Sequence, residues 1–212
     1  MRTLQGLYAI ADVQDIQTPD FLERVQAVLV AGVPLIQYRD KVNDRDVRTR
    51  TAERLRKMTH KHRSLLIIND DVELARAVDA DGVHLGKEDC RIDEARARLG
   101  AEIIIGASCY DDYGNAVEAV ANGASYIAFG SFFASPTKPS APRADLDLIT
   151  RAKQELDIPV CAIGGITQKN VVPLLDAGAD MIAVISSLFD APSPARSVQE
   201  YQALLQPFCA AS

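Results

Sequence analysis

Short apolar runs alternate with longer stretches in which apolar residues recur every three or four positions, from one end of the chain to the other. Eight runs have strand length and are rich in β-branched residues: 7–11, 33–39, 64–69, 81–85, 102–108, 125–130, 158–164 and 181–186. Helical spacing fills the intervals, for example 19–31, 44–61, 111–122, 145–155 and 168–177. In the first of these, Leu22, Val25, Val28 and Leu29 fall on one face. Thr18-Pro19 reads as a cap followed by a first-turn proline, and Thr167 is placed to cap the helix after Gly165. Ala31-Gly32, Asn122-Gly123-Ala124 and Ala177-Gly178-Ala179 each end a helix and lead into a strand, where a helix stop calls for positive φ. Ala80-Asp81-Gly82 holds the same place before the fourth strand. This order predicts an α/β fold, a (β/α)8 TIM barrel, as a single domain over residues 1–212. An open doubly wound sheet would need a glycine-rich turn after the first strand, and Ala11-Asp12-Val13-Gln14 supplies none.

Barrel enzymes carry their sites at the carboxyl ends of the strands, and the unusual polar residues gather there. Period-two alternation puts Val33, Leu35, Gln37, Arg39 and Lys41 on one face of the second strand, with Ile36 and Tyr38 toward the helices. Two cations beside an amide suit a phosphate or diphosphate; alternatively they pair with Asp40 and Asp44. The third strand ends Asn69-Asp70-Asp71, and Gly86-Lys87-Glu88-Asp89 follows the fourth. Asp70 and Asp89 are placed to share Mg²⁺, which takes one or two carboxylates plus phosphate oxygens. Equally, Asp70 or Asp71 can cap the next helix. Ser108 offers a hydroxyl at the end of the fifth strand, with no histidine base recognisable beside it, so nucleophilic catalysis is not expected. Ser131 to Arg143 is the longest loop at this face and carries Ser135-Pro136-Thr137-Lys138, read either as a covering loop or as a passive one. The seventh strand ends in Gly164-Gly165 and the eighth in Ile185-Ser186, the usual phosphate site of this fold.

Composition narrows the function classes. Hydrophobic residues make up 48% and charged residues 25%, ordinary values for a soluble globular chain. No run approaches the ~20 apolar residues of a membrane span, and Asp12 ends the opening apolar stretch too early for a signal peptide, so a cytoplasmic location is expected. A net charge of −6 excludes a nucleic-acid surface built on a basic stripe. Cys90, Cys109, Cys161 and Cys209 show no C-x-x-C spacing, which argues against structural zinc and a disulfide framework. Cys109 reads as a buried thiol, His84 as a core or wall residue, and His60 and His62 as surface residues near a helix end.

Taken in order, Gln37-Tyr38-Arg39-Asp40-Lys41, Ile68-Asn69-Asp70, Gly82-Val83-His84-Leu85-Gly86 with Asp89, Gly106-Ala107-Ser108, Pro136-Thr137-Lys138, Ile163-Gly164-Gly165-Ile166 and Ile185-Ser186 resemble the thiamine-phosphate synthase family. The resemblance covers nearly the whole chain. It implies a transferase that joins an aminopyrimidine bearing a methyl diphosphate to a thiazole bearing an ethyl phosphate, or its carboxylated tautomer, with release of diphosphate. It also implies a binding run of Gln37 to Lys41 (Tyr38 and Asp40 included) with Asn69 for the pyrimidine diphosphate. Mg²⁺ would sit on Asp70 and Asp89, with Arg39, Lys41, Ser108 and Lys138 as catalytic partners of the leaving group. Ser135, Pro136, Thr137, Gly165, Ile185 and Ser186 would hold the thiazole phosphate. The family's displacement can run dissociatively, because the pyrimidine ring spreads positive charge. The covering loop departs from the family's Pro-Thr-x-Thr-Lys, and Cys109-Tyr110 stand where a histidine is common. Two rivals remain: a thiazole tautomerase of similar fold, and a non-catalytic phosphate-binding barrel.

Overall fold

Eight parallel strands, each hydrogen-bonded to the next and the last to the first, close into a barrel in the computed structural model, which describes residues 4–14, 20–134 and 143–209. The strands are β1 (Gly6–Asp12), β2 (Leu35–Arg39), β3 (Leu65–Asn69), β4 (Gly82–Leu85), β5 (Ile104–Tyr110), β6 (Tyr126–Phe129), β7 (Val160–Ile163) and β8 (Met181–Val184). The helices are α1 (Phe21–Val30), α2 (Arg45–His62), α3 (Val72–Ala77), α4 (Ile92–Leu99), α5 (Tyr113–Ala121), α6 (Leu146–Glu155), α7 (Val172–Asp176), α8 (Ser186–Phe189) and α9 (Pro194–Cys209). No described helix is long and apolar enough to cross a membrane.

Period-two alternation sorts the strand side chains into two layers. Outward residues such as Leu7, Ala9, Ile36, Leu66 and Ile68 pack with Val25, Leu29 and Leu55 of the helices. Inward residues, Tyr8, Ile10, Leu35, Ile67, Tyr126 and Met181 among them, fill the barrel. Full burial of each large apolar side chain contributes about 1.5–3 kcal/mol, so the interior is a packed floor beneath the mouth.

The expected helix stops are present at Gly32, Gly123 and Gly178, with φ of 86°, 88° and 100°. Before β4 the positive φ falls instead on Asp79, while Gly82 lies inside the strand. A Cβ at Gly82 would stand 2.5 Å from the Ile104 carbonyl oxygen, so that glycine serves strand packing and not a helix stop. Thr167 caps a turn, not a helix: its hydroxyl accepts from Lys169 N, Asn170 closes the turn, and α7 starts only at Val172. Thr18-Pro19 lie outside the described residues.

Candidate active site

Alternation along β2 delivers Gln37 and Arg39 to a cavity of about 310 Å³ at the carboxyl ends of the strands. Ile10, Ala128, Ile163, Ala183 and Ile185 give it apolar walls; Asn69, His84 and Ser108 supply polar groups. Arg39 lies across from Asp12 in the β1–β2 register and forms an ion pair with its buried carboxylate. Lys41 Nζ lies 2.6 Å from Asp70 Oδ2. Both cations are therefore partnered, but not by Asp40 or Asp44. Asp44 caps α2 by accepting from Val47 N. Asp40 accepts from the Tyr38 hydroxyl at 2.8 Å and from Val42 N, Asn43 N and Asn43 Nδ2. Burial pushes the Asp40 carboxyl up, yet the hydrogen bonds from Asn43, Tyr38 and Val42 outweigh it and hold the group below the ordinary value. Gln37, Arg39 and Lys41 thus face the mouth; Asp40 lines the same concavity as Lys41 and, with Tyr38, braces the turn that carries them.

The two readings of the third strand's acidic end divide between adjacent residues. Asp71 caps α3, accepting from Leu74 N, and pairs with Arg48 at 2.7 Å. Asp70 takes a φ of 64°, which swings its carboxylate to Lys41 and to Asp89. Asp89 accepts from Gly86 N at 2.7 Å, and its carboxyl is pushed up by burial and by the Asp70 carboxylate beside it, against the pull of Lys41. Two neighbouring carboxylates balanced by one lysine suit a hard divalent cation whose remaining ligands come from substrate oxygens and water. Among the described residues no group of three or more His, Cys, Asp or Glu side chains is placed to hold a metal ion.

Three concavities adjoin. The central cavity shares Asn69 with one of about 520 Å³ that holds Lys41 and Asp70. On the far side it shares Ile163, Gly164, Ala183 and Ile185 with one of about 250 Å³ at the ends of β7 and β8. Gly165 and Ser186 line this last pocket. Gly165 has φ 63°, and a Cβ there would collide with the Ala134 carbonyl, so only glycine permits the close approach. Ser187 is taken up by the Ile166 carbonyl and Tyr201, leaving Ser186 and the local backbone to face the pocket. Ser135, Pro136, Thr137 and Lys138 lie outside the described residues.

Five residues of the site were missed or under-read in the sequence. Tyr8, Ile10 and Asp12 alternate on one face of β1, and the rule applied to β2 would have found them. Tyr126 likewise starts an inward face that continues with Ala128. His84 is a wall residue, as expected, but a hydrogen-bonded one: Nδ1 lies 2.8 Å from the Tyr126 hydroxyl and Nε2 2.9 Å from Ser108 Oγ. Burial lowers its pKa to about 4 despite the opposing Asp70 charge, so the ring is neutral at pH 7. Cys109 is buried, as expected, and burial pushes its thiol up to about 12, so it packs as a protonated thiol at pH 7.

A closed (β/α)8 barrel with a cation–carboxylate cluster beyond β2–β4 and a glycine-lined pocket beyond β7 and β8 defines the class: barrel enzymes with their site at the carboxyl ends of the strands. Within that class the chain belongs to the thiamine monophosphate synthase family, whose pattern it matches over residues 7–188. It is 46% identical over 203 residues to a thiamine-phosphate synthase of Thioalkalivibrio sulfidiphilus, covering 96% of each chain. It is 50% identical over 202 residues to one from Azoarcus sp., covering 95% of this chain and 97% of that one. Among solved structures, a thiamine phosphate pyrophosphorylase from Pyrococcus furiosus superposes with a TM-score of 0.86 at 34% identity, covering 96% of both. A 3-hexulose-6-phosphate synthase, at 18% identity and a TM-score of 0.71, shares the fold alone.

Proposed function

We propose that this chain is a transferase that forms thiamine phosphate, displacing diphosphate from an aminopyrimidine methyl diphosphate by the nitrogen of a thiazole ethyl phosphate. The observation that carries the reading is the row of adjoining concavities: a cationic and carboxylate-bearing pocket, an apolar-walled cavity, and a glycine-lined pocket. One phosphorylated substrate enters from each end, and the reacting carbon and nitrogen meet in the middle. A tautomerase, which binds only the thiazole, would have no use for the first pocket.

Arg39, Lys41, Gln37 and Asn69 are assigned to the diphosphate and the pyrimidine. The Lys41–Asp70 pair has its lysine half-exposed, and such pairs are worth about 0–1 kcal/mol, so a polyanion draws Lys41 away at small cost. Asp70 and Asp89 would hold Mg²⁺, which supplies charge neutralisation of the departing diphosphate. The backbone around Gly165, with Ile185 and Ser186, is assigned to the thiazole phosphate. Ser108 contributes a hydroxyl to the leaving group. Orientation and electrostatic stabilisation suffice for this displacement, with no covalent enzyme intermediate. Purified protein mixed with both substrates and Mg²⁺ should release diphosphate and thiamine phosphate in equal amounts, and chelation should stop both. Folded enzyme that yields no coupled product overturns the proposal.

A further inference from the structure

Five side chains from five strands form one uninterrupted run of hydrogen bonds beneath the mouth. Gln37 Nε2 donates to the Tyr8 hydroxyl at 2.7 Å, and the Tyr8 and Tyr126 hydroxyls lie 2.9 Å apart. The Tyr126 hydroxyl lies 2.8 Å from His84 Nδ1, and His84 Nε2 lies 2.9 Å from Ser108 Oγ. Gly106 makes room for this run, because a Cβ there would overlap the Tyr126 ring.

With the Gln37 amide nitrogen toward Tyr8, counting protons gives each further link its direction. A phenol carries one proton. Tyr8 already accepts from Gln37, so its own proton goes to Tyr126, its only other partner among the described residues. Tyr126 then spends its proton on His84 Nδ1, which must be bare. The imidazole proton therefore sits on Nε2 and is donated to Ser108 Oγ. A proton on Nδ1 would reverse the inner links and leave a buried phenol proton with no acceptor, a cost of about 1–3 kcal/mol. With an N–H already aimed at its oxygen, Ser108 has its own proton free for the cavity it lines.

We infer that His84 is a positioning residue that, with its tautomer set by Tyr8 and Tyr126, commits the Ser108 hydroxyl to donate into the cavity. This rests on the assignment of that cavity to the pyrimidine diphosphate, whose departing oxygens gain negative charge as the C–O bond breaks. A hydroxyl fixed in advance as a donor needs no reorientation at that moment.

Two measurements test this. In the full-length protein labelled with ¹⁵N-histidine and free of substrates, long-range ¹H–¹⁵N correlation should show His84 protonated at Nε2 and bare at Nδ1. Loss of the signals in His84→Gln identifies them. A proton on Nδ1 overturns the inference, and this outcome is independent of whether the enzyme makes thiamine phosphate. In turnover, His84→Leu should lower kcat about 10- to 100-fold while changing the KM for the thiazole phosphate little, and His84→Gln, which keeps an amide donor, should recover part of the loss. The decisive arm is the double variant: on a Ser108→Ala background, His84→Leu should cost nothing further. Losses that multiply would make His84 a packing residue and overturn the role. Should His84→Leu fail to fold, the tautomer and the same cycle run with His84→Gln and His84→Asn decide, Asn being expected to recover less than Gln.

Discussion

Asp40 shows how a charged residue in a binding motif can serve the fold. Its buried carboxylate gathers four hydrogen bonds from Tyr38, Val42 and Asn43 and so closes the turn that presents Lys41. The sequence left Asp40 free to pair with its cationic neighbours, because spacing reports which side chains are near in the chain. It does not report that Asp12 and Asp70, arriving from β1 and β3, reach those cations first. Since the folded carboxyl titrates below its ordinary value of 3.8, its stabilisation is complete above that value and is lost as pH falls through the lower folded value. Asp40→Asn should therefore lower unfolding stability by about 1–2 kcal/mol at pH 7. The gap to wild type should narrow below about pH 4, as denaturant titrations across pH would show. A gap independent of pH would mean that the neutral carboxyl bonds as well as the ionised one.

Strands were the most readable elements and short helices the least. Every apolar run became a strand, six of them trimmed, while β1 gained a residue at each end and β5 ran two residues past Ser108, because alternation survives wherever one face meets helices and the other meets the barrel interior. The helix after β7 was over-extended, since the Thr167–Asn170 turn has polar residues at helical spacing yet closes on itself. Legibility of the site followed the same division. Gln37 and Arg39 could be read because they interrupt an apolar face, whereas Tyr8 and Tyr126 pass for ordinary core aromatics until their hydroxyls are seen to meet. Gly106 belongs to this element-level design: β5 runs past β6 with glycine opposite Tyr126 in register. Gly106→Ala would press a methyl group into the Tyr126 ring and should cost about 1–3 kcal/mol of stability. It should also lower kcat through displacement of the Tyr126–His84–Ser108 links. A variant with the melting temperature and turnover of wild type would show that the ring relaxes without disturbing Ser108.

At the scale of the molecule, an acidic protein of net charge −6 has to admit two anionic substrates. The cluster at the mouth does not solve this by itself, since Arg39 and Lys41 face three carboxylates, Asp12, Asp70 and Asp89. Without a divalent cation these five groups are net negative once Asp89 is ionised. Mg²⁺ on the Asp70–Asp89 pair would reverse the sign, which predicts opposite effects for one substitution. In a calorimetric titration with inorganic diphosphate at pH 8, the wild type should bind at least ~10-fold more weakly after chelation, a loss of about 1.4 kcal/mol or more. Asp89→Asn should bind diphosphate more weakly than wild type when Mg²⁺ is present, because a metal ligand is gone. In chelator the order should invert. Removing one negative charge ~4 Å from the anion is worth about 1 kcal/mol even at the dielectric of water, so the variant should bind about fivefold more tightly than wild type. The inversion separates a metal-binding carboxylate from one that merely orders the loop through Gly86, whose loss would weaken binding under both conditions. Weaker binding in both would therefore take Asp89 out of the metal site and leave Asp70 as the sole candidate anchor among the described residues.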